Sequence, residues 1–252
     1  MTNAIDITHL SRHHRDATAL DDVTVSFEAG VIHGLLGRNG AGKTTMLSMA
    51  TGLLRPTAGS ARVAGVDVWA EPRRAKQLMG VLPDGLHLFD RLTGRQLVTY
   101  AGLLRGMDRD VVAERTDDLL RAMDLTADAG TQVQDYSAGM TKKIALAGAL
   151  IHAPSLLVLD EPFESVDPVS AANIREILHG FVSAGGTVVV SSHVMDLVQR
   201  MCDHVAVMDR GRVLAAGTVD AVRAGATLED RFVELVGGRR ETGEGLPWLR
   251  PE

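Results

Sequence analysis

A glycine-rich segment with one lysine constrains this chain more than any other part of its sequence. Residues 37–45 read Gly-Arg-Asn-Gly-Ala-Gly-Lys-Thr-Thr, which fits the phosphate-binding pattern G-x-x-x-x-G-K-[ST]. The apolar residues 31–36 before it predict a buried strand, and residues 46–50 after it predict a helix. A strand, a glycine-rich turn and a helix N-terminus bring several backbone N–H groups to one small volume, which suits an anion. Residues 37–45 are therefore predicted to form a phosphate-binding loop, here called the phosphate loop.

The residue types in the phosphate loop have separate predicted tasks. Its glycines allow the backbone to approach phosphate oxygens closely. Lys43 is expected to reach the β- and γ-phosphates of a nucleotide, and the hydroxyl of Thr44 is expected to ligate Mg²⁺. The residues predicted to contact the nucleotide here are Gly37, Asn39, Gly40, Gly42, Lys43, Thr44 and Thr45.

Composition limits the classes of protein to consider. With 252 residues and 45% hydrophobic content, the chain can bury the core of one domain, with or without an inserted subdomain. A net charge of −6 argues against a broad nucleic-acid surface, so no nucleic-acid partner is expected. Cys202 is the only cysteine, which excludes an intrachain disulfide and fits a reducing compartment. No stretch approaches the roughly 18 apolar residues of a membrane span, and the N-terminus does not resemble a signal peptide.

Two adjacent carboxylates follow a second apolar segment. Residues 155–161 read Ser-Leu-Leu-Val-Leu-Asp-Glu, which predicts a short buried strand that ends in Asp160 and Glu161. Ligands bind at the carboxyl edge of a parallel sheet, where these side chains would lie. Asp160 is predicted to hold the Mg²⁺ shell, and Glu161 to polarise an attacking water. Helix capping is the structural alternative, but Pro162 directly afterwards makes an ordinary helix continuation unfavourable.

A third motif precedes the carboxylates by 23 residues. Residues 136–140 read Tyr-Ser-Ala-Gly-Met and open a segment with helical spacing. Here the chain resembles the ATP-binding-cassette (ABC) family, the ATPase subunits of ABC transporters, whose signature loop is of the Leu-Ser-Gly-Gly-Gln type. Ser137 and Gly139 match this signature loop, whereas Tyr136, Ala138 and Met140 depart from it. Serine at a helix start is also a common N-cap, so this motif alone would be weak.

The remaining family loops follow in the family's order. By the resemblance, Asp167 lies at the contact between two ATPase subunits, although Asp167 before Pro168 is also a good N-cap arrangement. His193 follows the predicted strand 187–192 and matches the family's switch histidine, which implies contact with the γ-phosphate of ATP. The resemblance thus implies catalytic roles for Glu161, His193 and Lys43, and nucleotide contacts for Ser137, Gly139 and Asp167.

Two further positions, outside the signature loop, depart from the family pattern. Asp84 stands where the family has glutamine, so it is expected to contact nucleotide-bound Mg²⁺ or water but cannot donate a hydrogen bond as an amide does. His14 aligns with the aromatic residue that stacks on adenine, and imidazole offers a smaller stacking face. Both residues are predicted to belong to the nucleotide site.

The resemblance also implies the architecture. The expected fold class is α/β, a P-loop NTPase core with a mostly parallel sheet flanked by helices, an N-terminal antiparallel β part and an all-helical insert that carries the signature loop. The ATPase domain is expected to span residues 1–236, with its core at about 1–84 and 153–225 and its helical subdomain at about 85–152. Residues 237–252 are predicted to form a loosely ordered tail.

The resemblance implies a function, ATP hydrolysis coupled to transport, with ATP and Mg²⁺ as the expected cofactors. By the resemblance, two ATPase subunits pair head to tail around two ATP–Mg²⁺ and drive an integral membrane permease subunit at the cytoplasmic face of the membrane. A homodimer is the simpler pairing, and a pair with a related ATPase subunit is the alternative. Leu88 and Phe89 either receive a helix of that subunit or pack within the helical insert. Residues 227–235 resemble the ending of ATPase subunits from bacterial exporters of drugs, antibiotics or peptides, which favours export.

Two alternatives remain open at this stage. One is a soluble cassette ATPase that acts on nucleic acid or ribosomes, but such proteins usually carry two cassettes, long inserts or basic extensions. The other is a nucleotide-gated assembly module with little turnover, which the departures at Asp84, Ala138 and His14 would allow.

Overall fold

Two β-sheets form the framework of the molecule. The computed structural model describes residues 2–13, 17–85 and 87–238. A four-stranded antiparallel sheet has the strand order β2-β1-β4-β5, and a six-stranded sheet has the order β10-β9-β3-β8-β7-β6. The strands are β1 (Asn3–His13), β2 (Thr18–Glu28), β3 (Ile32–Leu36), β4 (Ala58–Val63), β5 (Val66–Asp67), β6 (Met79–Leu82), β7 (Leu156–Leu159), β8 (Thr187–Ser192), β9 (His204–Asp209) and β10 (Arg212–Thr218).

Helices cover the sheets and form the segment between β6 and β7. Within the described residues 87–152, the regular structure is entirely helical and includes a short 3-10 turn, Val133–Asp135. The α-helices are α1 (Lys43–Ala50), α2 (Pro72–Leu78), α3 (Gly94–Leu104), α4 (Arg109–Ala122), α5 (Ala138–Leu150), α6 (Pro168–Ser183), α7 (Met195–Met201), α8 (Val219–Arg223) and α9 (Leu228–Leu235).

The six-stranded sheet is mostly parallel, as predicted. Neighbouring strands among β9, β3, β8, β7 and β6 run parallel, and β10 is an antiparallel edge strand. Alternate residues of β8 enter two different apolar clusters, Val189 in one and Val188 with Val190 in the other. Both faces of the central strands are thus covered, which explains why their sequences are nearly continuous apolar runs.

The register of the parallel strands positions the site. Leu36 at the end of β3 pairs with Ser192 at the end of β8, and Leu159 at the end of β7 pairs with Val190 of β8. The segments that follow β3, β7 and β8 therefore leave the sheet at the same carboxyl edge. These segments begin with the phosphate loop, Asp160 and His193, respectively.

Polar contacts join the helical segment to strand β6 and to helix α2. The imidazole Nε2 of His152, after α5, lies 3.1 Å from the carbonyl oxygen of Met79 in β6. A guanidinium nitrogen of Arg105 donates to the carbonyl of Lys76 at 2.8 Å. Burial, followed by the positive charge of Arg105, lowers the pKa of His152 to about 4. His152 is therefore neutral in the folded protein at neutral pH.

This burial predicts a pH dependence of stability. In the unfolded chain His152 takes up a proton below about pH 6.5, whereas the folded chain resists protonation until about pH 4. The contribution of His152 to the free energy of unfolding is therefore greatest above about pH 6.5 and declines towards pH 4. His152→Gln keeps a donor for the Met79 carbonyl without titrating, so urea unfolding should give a smaller stability difference between pH 5 and pH 7.5. His179→Gln, at an exposed position of α6, should retain the wild-type difference. An unchanged pH difference in His152→Gln would contradict this prediction.

Candidate functional site

The phosphate loop lies between β3 and α1, where its backbone needs glycine. Gly40 and Gly42 have φ angles of 80° and 104°, in the left-handed region that glycine adopts without strain. A Cβ atom at residue 42 would lie 2.8 Å from the carbonyl oxygen of Ala19, so a larger residue would also collide with the antiparallel sheet. No described side chain caps the N-terminus of α1. The first-turn N–H groups of this helix are thus available to an anion.

A cavity of about 310 Å³ lies over the phosphate loop. Acidic side chains from two other segments face this basic and glycine-rich loop. The lining residues are Ala19, Arg38, Asn39, Gly40, Ala41, Gly42, Lys43, Thr44, Thr45, Asp84, Glu161 and Glu164. The cavity therefore combines most predicted residues of the phosphate loop with Asp84 and Glu161.

Lys43 is buried beneath the loop, with only 5% of its surface exposed. Its ammonium donates to the carbonyl oxygens of Gly37, at 2.7 Å, and Arg38, at 3.3 Å. The same nitrogen lies 3.2 Å from the carboxylate Oε1 of Glu161. Lys43 thus connects the phosphate loop to the end of β7.

Glu161 has an unusual backbone conformation. Its φ angle is 45°, although it is not glycine and precedes Pro162. Such a conformation costs on the order of 1–3 kcal/mol and persists only where neighbouring groups hold it. The Glu161 N–H donates to the hydroxyl of Ser191 at 2.9 Å, and the carboxylate Oε2 lies 3.1 Å from His193 Nδ1. The buried Oε1 is near Lys43 but makes no aligned hydrogen bond within the described residues, so it can accept one from a further donor.

Asp160 and Glu161 share one partner on the neighbouring strand. The hydroxyl of Ser191 in β8 donates to a carboxylate oxygen of Asp160 and accepts from the N–H of Glu161. Asp160 is 3% exposed, and its N–H donates to the carbonyl of Leu82 at 2.8 Å. The sequence interpretation missed Ser191, because an ordinary serine inside an apolar strand gives no signal of this contact.

Asp84 lies at the margin of the cavity. Its side chain is exposed, and its carboxylate accepts a hydrogen bond from the N–H of Gly85 at 2.8 Å. His14, the residue predicted to stack on adenine, lies outside the described residues. Asp84 lines the same cavity as the phosphate loop, and its contact with a nucleotide or a metal stays a prediction.

Ser137, Gly139 and Asp167 lie apart from the described lining of this cavity. The Ser137 hydroxyl accepts from the N–H of Met140 and caps α5, while Asp167 accepts from the N–H groups of Val169 and Ser170 and caps α6. These bonds, first of all the one from the Ser170 backbone, lower the pKa of Asp167. Both structural alternatives considered from the sequence, the two N-caps, are present.

Comparisons with known proteins decide the family. The family model described as "ABC transporter" matches residues 20–164, which is more than half of the chain. The chain belongs to this family. It is thus an ABC ATPase that binds ATP, as the resemblance implied.

Individual relatives agree with this family. The ABC transporter ATP-binding protein NatA of Bacillus subtilis is 36% identical over 231 residues, which cover 90% of this chain and 94% of NatA. A daunorubicin resistance ATP-binding protein of Streptomyces coeruleorubidus is 35% identical over 221 residues, or 88% of this chain and 70% of the relative. A solved structure of an ATP-binding subunit of an ABC transporter superimposes with a TM-score of 0.85 at 28% identity, covering 92% of this chain and 99% of that one. The predicted fold class is confirmed.

Among the described helices, none has the length and apolar character needed to cross a membrane.

The close packing of Gly139 gives a stability prediction. A Cβ atom at residue 139 would lie 2.6 Å from Ser170 Oγ and 2.8 Å from Asp167 Oδ2, too close for either contact. Gly139→Ala should therefore lower the free energy of unfolding by roughly 1–3 kcal/mol, measured by urea denaturation. Gly148→Ala in the same helix is the matched control, because its Cβ would lie an ordinary 3.7 Å from Ala101. Equal stability of the two variants would contradict the packing argument.

Proposed function

We propose that this protein is the ATP-hydrolysing subunit of an ABC exporter and that Glu161 is its general base. The observation that carries this proposal is the position of the Glu161 carboxylate. It lies 3.2 Å from the ammonium of Lys43 and 3.1 Å from His193, beside the cavity over the phosphate loop. An acceptor held next to a phosphate-binding lysine is suitably placed to take a proton from water that attacks a γ-phosphate.

The residues of the site fit ATP and Mg²⁺. The uncapped N-terminus of α1 and the ammonium of Lys43 supply donors for phosphate oxygens. We assign Thr44 and Asp160 to the Mg²⁺ shell, with Asp84 at its margin. Within the described part of the chain, no group of three or more His, Cys, Asp or Glu side chains could hold a metal. Such a sparse protein shell suits Mg²⁺, which retains water and binds through substrate phosphates, and the ion would neutralise phosphate charge.

His193 has two tasks in this proposal. Its Nδ1 orients the Glu161 carboxylate through the 3.1 Å contact, and its imidazole contacts the γ-phosphate of bound ATP. Lys43 exchanges its interaction with Glu161 for one with the phosphates. That exchange releases the carboxylate to accept the proton of the attacking water.

Two copies of the chain are proposed to complete each site. Ser137, Gly139 and Asp167 lie outside the cavity of their own chain but close to one another, with Gly139 packed against Asp167. A head-to-tail homodimer would place this cluster against ATP on the partner's phosphate loop. Hydrolysis would then remove a group that holds the two subunits together.

The proposed transport partner is an integral membrane permease at the cytoplasmic face of the membrane. Leu88 packs against the core, whereas Phe89 is 58% exposed and contacts Tyr100 edge-on. Leu103 and Leu104 of α3 are also exposed, 41% and 68% respectively. This face, defined as Phe89, Tyr100, Leu103 and Leu104, would receive a helix of the permease. A groove of about 990 Å³ beside Leu104 adds Arg73, Lys76 and Arg105 as polar contacts.

Export is the proposed direction of transport. One relative is a daunorubicin resistance protein, and expelling a toxic compound is one way in which a transporter provides resistance. Residues 227–235, whose sequence resembles the ending of exporter ATPases, include α9 (Leu228–Leu235). The substrate would be selected by the permease.

The role of Glu161 predicts a separation of binding from hydrolysis. Glu161→Gln should slow steady-state phosphate release by roughly 10²–10⁴-fold, because the amide cannot accept the proton, and should leave ATP affinity within a few fold of the wild type. Glu176→Gln, the same change at an exposed position of α6, is the control. Wild-type turnover in Glu161→Gln would remove Glu161 from this role.

The docking face predicts a binding defect without a catalytic one. A Phe89→Glu/Leu104→Glu variant should lose its permease, because docking would bury two carboxylates without partners. Affinity purification from gently solubilised membranes with mass spectrometry measures the loss. Leu214→Glu, at a 38% exposed position of the edge strand β10, should retain the permease. Retention of a multi-span protein by the double variant would contradict the proposed face.

A further inference from the structure

We infer that Lys142 is a positioning residue for ATP hydrolysis. Its side chain connects α5, the helix that begins at the signature loop, to the backbone of Glu161. This inference rests on the proposed role of Glu161 as general base. Lys142 belongs to α5, the helix that begins at the signature loop, and its side chain is half-buried. Its ammonium donates to the carbonyl oxygen of Glu161 at 3.1 Å.

Lys142 contacts the carbonyl of a non-glycine residue whose backbone is in the left-handed region. Glu161 has a φ angle of 45°. Because the next residue is Pro162, the right-handed helical conformation is also unfavourable for Glu161. Its carbonyl otherwise accepts from the N–H of Glu164 in its own turn, at 3.2 Å. Ser191 holds the N–H side of Glu161, and Lys142 holds the carbonyl side. These two side chains come from different elements, β8 and α5.

The direction of the Glu161 side chain follows from this backbone conformation. Because Cβ is fixed by the main chain, a rotation of the Glu161 peptide would move the carboxylate relative to Lys43 and His193, which it contacts at 3.2 and 3.1 Å. Small displacements of a reacting group reduce turnover strongly. Loss of the Lys142 contact should thus misplace the base, while the ATP-binding groups of the phosphate loop stay in place. The motion of α5 would be transmitted to Glu161 through the same contact.

A different role for Lys142 would be to balance negative charge. It lines a cavity of about 350 Å³ together with Asp84 and Glu164, which also line the cavity over the phosphate loop. The hydrogen bond to Glu161 favours the positioning role. Among the described residues, the Lys142 ammonium donates a hydrogen bond to the carbonyl oxygen of Glu161 and to no carboxylate. The two roles predict different behaviour when Glu164 is neutralised.

The test compares Lys142→Met, Lys142→Arg, Glu161→Gln and the double variant Lys142→Met/Glu161→Gln by steady-state phosphate release. Lys142→Met should lower kcat by roughly 10- to 100-fold with KM for ATP changed less than about threefold, since the variant misplaces only the base. Lys142→Arg should recover most of the rate because it retains a donor. In the Glu161→Gln background, Lys142→Met should cause almost no further loss, because the base it positions is already absent.

Matched controls and folding are measured in parallel. Arg62→Gln, at an exposed position of β4, removes one positive charge outside the site and should keep the wild-type rate. Urea unfolding of each variant shows whether it is folded, and if Lys142→Met is not folded, Lys142→Ala, which also lacks a donor, takes its place. A wild-type rate in the folded variant would overturn the inference. So would an equal fold-loss in the Glu161→Gln background, or full recovery by Lys142→Met/Glu164→Gln, which would indicate charge balance. Failure of Glu161 as the base is separate, because Glu161→Gln alone would then hydrolyse ATP normally.

Discussion

The buried contact between the ammonium of Lys43 and the carboxylate of Glu161 is the interaction on which the site depends. The two side chains are 6% and 11% exposed, and their charged atoms lie 3.2 Å apart. Neither charge could be buried alone at this position without a large cost, so each stabilises the other. The contact joins the loop after β3 to the end of β7. It thereby holds the phosphate loop next to the carboxylate that we propose as the general base.

The parallel sheet makes this contact possible. Its central strands are covered on both faces, so their register is fixed, and the segments after β3, β7 and β8 leave at one edge. Side chains from all three segments then meet around Glu161: Lys43, Glu161 itself and His193. The same edge places Ser191 under both carboxyl residues. The arrangement of the three side chains in the proposed catalytic site is thus a consequence of strand order and register.

Local patterns in the sequence were sufficient to predict the phosphate loop and the three strands that precede this loop, Asp160 and His193. These features depend on neighbouring residues, and the family resemblance supplied the fold class. Ser191 and Lys142 could not be predicted, because their contacts join residues 30 and 19 positions away from Glu161. The left-handed backbone of Glu161 was equally hidden, since a non-glycine residue before proline normally avoids it. The sequence predicts that Gly139 contacts ATP, a role that stays a prediction, whereas its packing against Asp167 follows from how α5 and α6 pack and has no signal in the sequence.

A double-mutant cycle on Lys43 and Glu161 tests the central claim most directly. Free energies of unfolding are measured by urea denaturation, without nucleotide, for the wild type, Lys43→Met, Glu161→Gln and the combined variant. Each single change leaves the other charge buried without its partner, so the combined variant should be less destabilised than the sum of the single changes, by at least about 1 kcal/mol. Additive losses would show that the two charges do not stabilise each other and would contradict this account of the site.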